Sequence, residues 1–147
     1  MSIRSDIAEA VKDELNLGVA AGAFGAVQFA ALRVNVPLFD LADLKAVHVT
    51  VVGRSFEQEP VSRADTSTDV EIDVAVQKKV GSVEPAEIDP LADLVEAVIV
   101  FFRNRRLAGK PDAMWRSTKN DMLYIPEHLD EKRLFTSVVT LTYRVLA

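Results

Sequence analysis

From Asp69 to Gln77 the chain alternates without a break, with Val70, Ile72, Val74 and Val76 on one parity and Asp69, Glu71, Asp73, Ala75 and Gln77 on the other. Successive side chains of a strand point to opposite faces, so a period of two predicts a strand with one apolar face and one polar face. The polar face must meet water or a partner, which favours an antiparallel sheet covered on one side. Whatever else the chain folds into must supply that cover.

Two helical segments can do so. Ile7, Val11 and Leu15 recur every four residues, with Asp6 and Glu9 in capping-box order before them and with Asn16 and Gly18 as stop signals. Residues 18–26 then read as a Gly/Ala-rich loop. Further on, Asp89-Pro90 reads as an N-cap followed by Pro at the first helical position, ahead of an apolar face made of Leu91, Leu94, Val95, Val98, Ile99 and Phe102. Arg103, Arg105 and Arg106 suit the C-terminal dipole of that helix, and Gly109 and Pro111 end it.

The other strands are read from β-branched runs. Val27 to Val36 forms an extended run closed by Pro37, and Asp40 to Asp43 reads as a turn. Ala46 to Gly53 places Val47, Val49 and Val51 on one side. A short strand follows Trp115, and Leu134 to Leu146 puts Phe135, Val139, Leu141, Tyr143 and Val145 on one face. The expected fold class is α+β: a mostly antiparallel or mixed sheet of about five strands packed with two main helices, in the order α-β-β-β-α-β-β. At 147 residues one domain over residues 1–147 suffices, since a chain of this size buries about 68–70% of its unfolded surface. Two polar connections stand out, Arg54 to Thr68 and Asn120 to Arg133; both exceed ordinary hairpin loops.

Composition limits the chemistry. The chain has no cysteine, which removes disulfides, thiol nucleophiles and thiolate metal sites. A net charge of −5 argues against a general nucleic-acid binder. No apolar run is long enough to span a bilayer, and the first residues lack the order of a signal peptide, which points to the cytosol. Phosphate-loop, dinucleotide and nucleophile-elbow motifs are missing.

The polar candidates each have a structural reading beside a chemical one. His48 falls in a strand and His128 follows Glu127 in a loop, without the spacing of a zinc helix. Asp69, Glu71 and Asp73 lie about 6–7 Å apart on one strand face, as carboxylates of a metal-dependent hydrolase or nuclease would, or as an ordinary solvated face does. They could also pair with basic groups of a neighbouring subunit. Arg103, Arg105 and Arg106 could meet phosphate or simply cap a helix.

Four strings carry a resemblance: Leu44-Lys-Ala-Val-His-Val-Thr-Val-Val52, Asp73-Val-Ala-Val-Gln-Lys-Lys-Val80, Leu123-Tyr-Ile-Pro-Glu-His-Leu-Asp130 and Phe135-Thr-Ser-Val-Val-Thr-Leu-Thr-Tyr143. With the order of elements, they make the chain resemble the tail-terminator, or tail-completion, proteins of tailed bacteriophages, of the siphophage type. The resemblance implies a non-enzymatic protomer, without cofactor or bound metal, that closes with copies of itself into a ring, usually of six, at the head-proximal end of the tail. That ring ends polymerisation of the tail-tube protein and receives the head connector, while DNA passes through without sequence-specific binding and no membrane is involved. It would be assembled in the host cytoplasm and kept in the virion. On this reading Asp69, Glu71 and Asp73, with Arg103, Arg105 and Arg106, are candidates for complementary ring surfaces or, for the acids, a channel face. The connection bearing Arg54, Phe56, Glu57, Glu59 and Arg63 is the first candidate for tube contact, and Asn120 to Arg133 the second. A head-side neck protein is the nearest alternative.

Overall fold

The computed structural model describes residues 2–25, 27–34, 46–82, 84–121, 123–128 and 133–146. In chain order these form α1 (Ile3–Ala20), β1 (Leu32–Arg33), β2 (His48–Pro60), β3 (Thr66–Lys79), α2 (Pro85–Phe102), β4 (Met114–Lys119) and β5 (Leu134–Leu146). The sheet runs β1-β2-β3-β5-β4. Only the short β1 pairs in parallel, with Leu32 opposite Thr50, so the sheet is mixed and mostly antiparallel. The architecture is therefore α+β with two main helices, in the order that the pattern of the sequence gives.

β3 is the spine. It pairs with β2 along one side and with β5 along the other, and its Val70, Ile72, Val74 and Val76 are fully buried. The matching parity of β5, from Phe135 through Val139, Leu141 and Tyr143 to Val145, joins the same core. Ile7, Val11 and Leu15 of α1 and Leu91, Leu94, Val95, Val98 and Phe102 of α2 complete it. Both helices thus cover one face of the sheet, and the odd-numbered positions of β3 from Asp69 to Asp73 lie on the other.

Several expected boundaries move, each for a physical reason. α1 begins a turn before Asp6, because the Ser2 hydroxyl accepts the Ser5 amide at 3.1 Å and serves as the N-cap in place of the Asp6–Glu9 box. It also runs past Asn16 and Gly18. The Asn16 side chain turns away from the helix to clamp Ala31, accepting its N–H at 2.8 Å and donating to its carbonyl at 3.3 Å. Gly18 is a packing site, since a Cβ there would lie 2.8 Å from a Phe101 ring carbon and 2.9 Å from one of Phe24. Glu9 holds the first strand to this helix through Arg33 at 2.6 Å. Of the expected run from Val27 to Val36, only Leu32 and Arg33 enter the ladder; its last two residues, and the expected turn at Asp40 to Asp43, lie outside the described residues.

α2 starts at Pro85 behind Glu84, so Pro85 and not Pro90 occupies the first turn, and Pro90 sits inside the helix. Its first residues are exposed, and a proline near a helix start displaces few backbone bonds. The helix stops at Phe102; Arg103 is the C-cap with ψ 118° and Asn104 takes a positive φ of 54°. Arg105, Arg106, Gly109 and Pro111 therefore lie beyond the helix.

The largest correction concerns Arg54 to Thr68, which is not a long loop. β2 continues to Pro60 and β3 begins at Thr66, leaving Val61 to Asp65 as a short turn. The ladder runs to the Pro60–Thr66 pair, and the tip is closed by Val61 N–H donating to the Asp65 carbonyl at 3.0 Å. Between Arg54 and Pro60 polar residues occupy both parities and the side chains are largely exposed, since only the first turn of α1 reaches this stretch, with Arg4 over Phe56, so the two-residue period is lost while the strand remains.

Replacing Gly18 by Ala removes a helix-interior glycine, which by propensity alone would stabilise α1 by about 1 kcal/mol. Because Phe24, Phe29, Phe101 and Phe102 pack ring against ring beside it, with centroids 5.0–5.3 Å apart, the added methyl must displace that cluster. Gly18→Ala is expected to lower stability by about 1–3 kcal/mol in urea unfolding; a gain would contradict this packing.

Candidate functional site

The helix-free face of the sheet carries the acidic stripe, and the ladder places partners beside each member. Asp69 stands opposite Arg144 of β5 and Glu57 of β2. Arg144 grips it with two parallel bonds, Nε at 2.7 Å and Nη2 at 3.0 Å, and Arg116 of β4 lies 4.0 Å away. Forked guanidinium–carboxylate pairing fixes geometry as well as charge. The Arg144 bond holds the Asp69 carboxyl below its ordinary value, opposed by partial burial and aided by the Arg144 and Arg116 charges.

Glu71 and Asp73 are met from β2. A register shift between Gly53 and Ser55 makes Arg54 an extra residue in the ladder, and its guanidinium lies 3.4 Å from Glu71 and 3.9 Å from Asp73. Asp73 also accepts the Thr140 hydroxyl at 2.7 Å. All three carboxylates thus have partners of their own chain, and among the described residues no three His, Asp or Glu side chains converge as a metal site would require. A cleft of about 300 Å³ lies over this face, between Arg54, Asp73, Lys119 and Thr140 with the apolar Ile125 and Val138.

The arginines after α2 are on the other side of the sheet and separate into two roles. Arg105 packs over Phe101 with its guanidinium carbon 3.8 Å from the ring centroid, donates to the Phe101 carbonyl at 2.9 Å and reaches Glu14 at 3.3 Å. Glu14, almost wholly buried, also accepts the Ala108 amide at 2.7 Å. This cluster pins the segment after α2 onto α1. Burial, then the neighbouring Glu14 charge, pushes the Tyr143 hydroxyl well above the usual tyrosine range. Arg103 and Arg106 remain exposed. Arg103 borders an open cleft of about 780 Å³ with Asp93, Glu96 and Phe101.

The residues expected at the tube contact divide likewise. Arg54 turns back to its own sheet, whereas Glu57, Glu59 and Arg63 are exposed. Phe56 lies on the helix side of the sheet, beside the first residues of α1, and is 54% exposed, with the Arg4 guanidinium over its ring at 5.5 Å. Val61 at the turn is 62% exposed. His48 lies at the start of β2 opposite Gln77, and His128 meets the Thr136 hydroxyl through Nδ1 at 3.0 Å. The pattern of the sequence pointed to Asp69 and Arg54 but not to Arg144, Arg116 or Glu14, whose roles depend on strand register and on the return of the chain after α2.

No protein-family model matches the chain, and neither does any curated protein. Among solved structures it is similar to the sheath/tube terminator of an extracellular contractile injection system (PVC) in its extended state, at 13% identity and a TM-score of 0.49. That match covers 100% of this chain and 57% of the other, so the chain spans little more than half its length.

Because Asp69 is more acidic folded than unfolded, its contribution to stability is complete above the ordinary value of 3.8 and is lost as pH falls through the folded one. Asp69→Asn is expected to be less stable than the parent at neutral pH, with the gap closing in acid. Urea unfolding in steps down the acid range checks this; a gap that widens in acid would refute it.

Proposed function

We propose that the chain is a structural assembly protein of the tail-terminator kind, which forms a ring, six-membered by the resemblance, that caps a tail tube, ends its growth and receives the head. What carries this reading is how the polar groups are used. Asp69, Glu71, Asp73 and Glu14, with Arg54, Arg105 and Arg144, hold strands and helices of the same chain together, and what faces outward is a long hairpin carrying Phe56, Glu57, Glu59, Val61 and Arg63. Three of the four strings that carry the resemblance fall on β2, β3 and β5, the strands that build the sheet.

On this proposal the exposed end of the hairpin is the tube-contacting element. Phe56 and Val61 are its apolar anchors, since exposed aromatic and aliphatic side chains surrounded by charge are what a buried interface centre is made from. The ring would consist of identical copies in head-to-tail contact, as rotational closure requires, and the DNA would pass through it without base readout.

The test is electron microscopy of negatively stained mixtures with a tail-tube protein. Capped tubes of defined length, with rings of the chain at one end, are expected; a chain that stays monomeric beside growing tubes refutes the proposal. Binding to filled heads but not to tubes would move it to the neck. Phe56→Ala combined with Val61→Ser is expected to keep the circular-dichroism spectrum and melting of the parent while losing most tube capping, and unaltered capping would remove the hairpin from the contact.

A further inference from the structure

The sheet has two edges that the core does not close. On one side β1 accompanies β2 only at Thr50 and Val51, with one more bond from the Val34 amide to the Val51 carbonyl. From Arg54 to Pro60, β2 has no ladder partner on that side among the described residues, and its side chains are largely exposed. On the other side, β4 pairs only with β5, leaving the outer side of Met114–Lys119 without a strand among the described residues. Backbone groups along such edges are ready to pair with another strand.

The two edges differ in charge. The open stretch of β2 carries Glu57 and Glu59 beside an Arg54 held by Glu71 and Asp73, while β4 carries Arg116 and Lys119, the latter 71% exposed in a solvent-facing pair with Asp121 at 3.4 Å. Each edge therefore repels a copy of itself and attracts the other. Bulges at Arg54 and Arg116 and the proline at the end of β2 further restrict indiscriminate pairing. Opposite charge on two different edges selects head-to-tail contact over a two-fold dimer.

Strand direction and facing agree with this. β2 opposes β3, β3 opposes β5 and β5 opposes β4, so β2 and β4 run in opposite directions. A second copy that continues the sheet sets its β4 antiparallel to β2 of the first, and the alternation is unbroken. In the same continuation Phe56 and Trp115 fall on the helix-bearing face, since their ladder partners Val70 and Tyr143 are both core residues. Glu57, Glu59 and Lys119 fall on the opposite face with Asp69 and Thr140.

We infer that copies of this chain join edge to edge, the Arg54–Pro60 stretch of one against the Met114–Lys119 strand of the next, to make one continuous antiparallel sheet around a ring. This rests on the ring of the proposed function and names its seam. The acidic stripe from Asp69 to Asp73, paired within the chain, is then part of the wall of the ring and not its joint.

Hydrogen–deuterium exchange and charge exchange between variants test the seam. In the assembled form the amides of both edge segments are expected to exchange much more slowly than in the monomer. Glu57→Lys with Glu59→Lys, and separately Arg116→Glu with Lys119→Glu, are each expected to abolish assembly while melting as folded domains, and an equimolar mixture of the two variants is expected to assemble again, with copies alternating. Rings that form while either edge stays unprotected, or whose assembly both reversals leave untouched, overturn the seam but leave the terminator reading standing. A parent chain that remains monomeric at its highest soluble concentration and beside tail tubes overturns both.

Discussion

Everything in this molecule depends on β3 being held from two sides. Its apolar parity forms the middle of the core, and its backbone is paired by β2 and β5, so the surface that both helices cover exists only with these three strands in register. A one-residue slip would turn Val70, Ile72, Val74 and Val76 to water and Asp69, Glu71 and Asp73 into the core. The polar face resists the same slip. Asp69 meets the Arg144 fork, and Asp73 meets Thr140, only in the observed register. Exposed ion pairs contribute little to stability, yet here their geometry adds specificity to a register that burial already demands.

The helices solve a different problem, the attachment of segments that do not belong to the sheet. Glu14 and Asn16 are polar residues of α1 whose side chains look inward, and each satisfies backbone groups of a passing segment, Ala108 in one case and Ala31 in the other. A buried carboxylate is tolerated because an amide and a guanidinium both donate to it. The ring stack of Phe101 under Arg105 completes the attachment, and Gly18 leaves room for it.

Periodicity revealed what burial imposes and missed what it does not. The bounds of β5 from Leu134 to Leu146, the strand around Asp69 to Gln77 and the apolar faces of both helices were legible, because each has one dry side. Arg54 to Pro60 was not, because a strand wet on both faces has no alternation to read. The start of α2 was hidden by two prolines, each of which fits a first turn, and the true first-turn residue lies in a stretch without apolar rhythm. For the candidate site, the residues offering charge could be listed from the chain, but their pairing could not. Arg54 and Asp73 meet through a bulge, and Arg144 meets Asp69 across 75 residues of sequence.

The same loss of cover that hid the distal hairpin gives it a distinct energetic character. Near the helices the hairpin is held by buried valines; beyond them it is held by a Gln58–Thr68 hydrogen bond at 3.1 Å, by Arg54 and its carboxylates, and by backbone bonds open to water. Segments of that kind sit at the low end of the range of local stability within a domain. Glu57 directly opposite Asp69 adds a like-charge pair that costs stability in the isolated chain. A strand kept long under those conditions, with Phe56 left largely uncovered, gains from a neighbouring surface twice over, because contact there would both shield the backbone and bury the ring. The distal half of β2 is thus a weakly held part of the described fold, and one to which association has much to add.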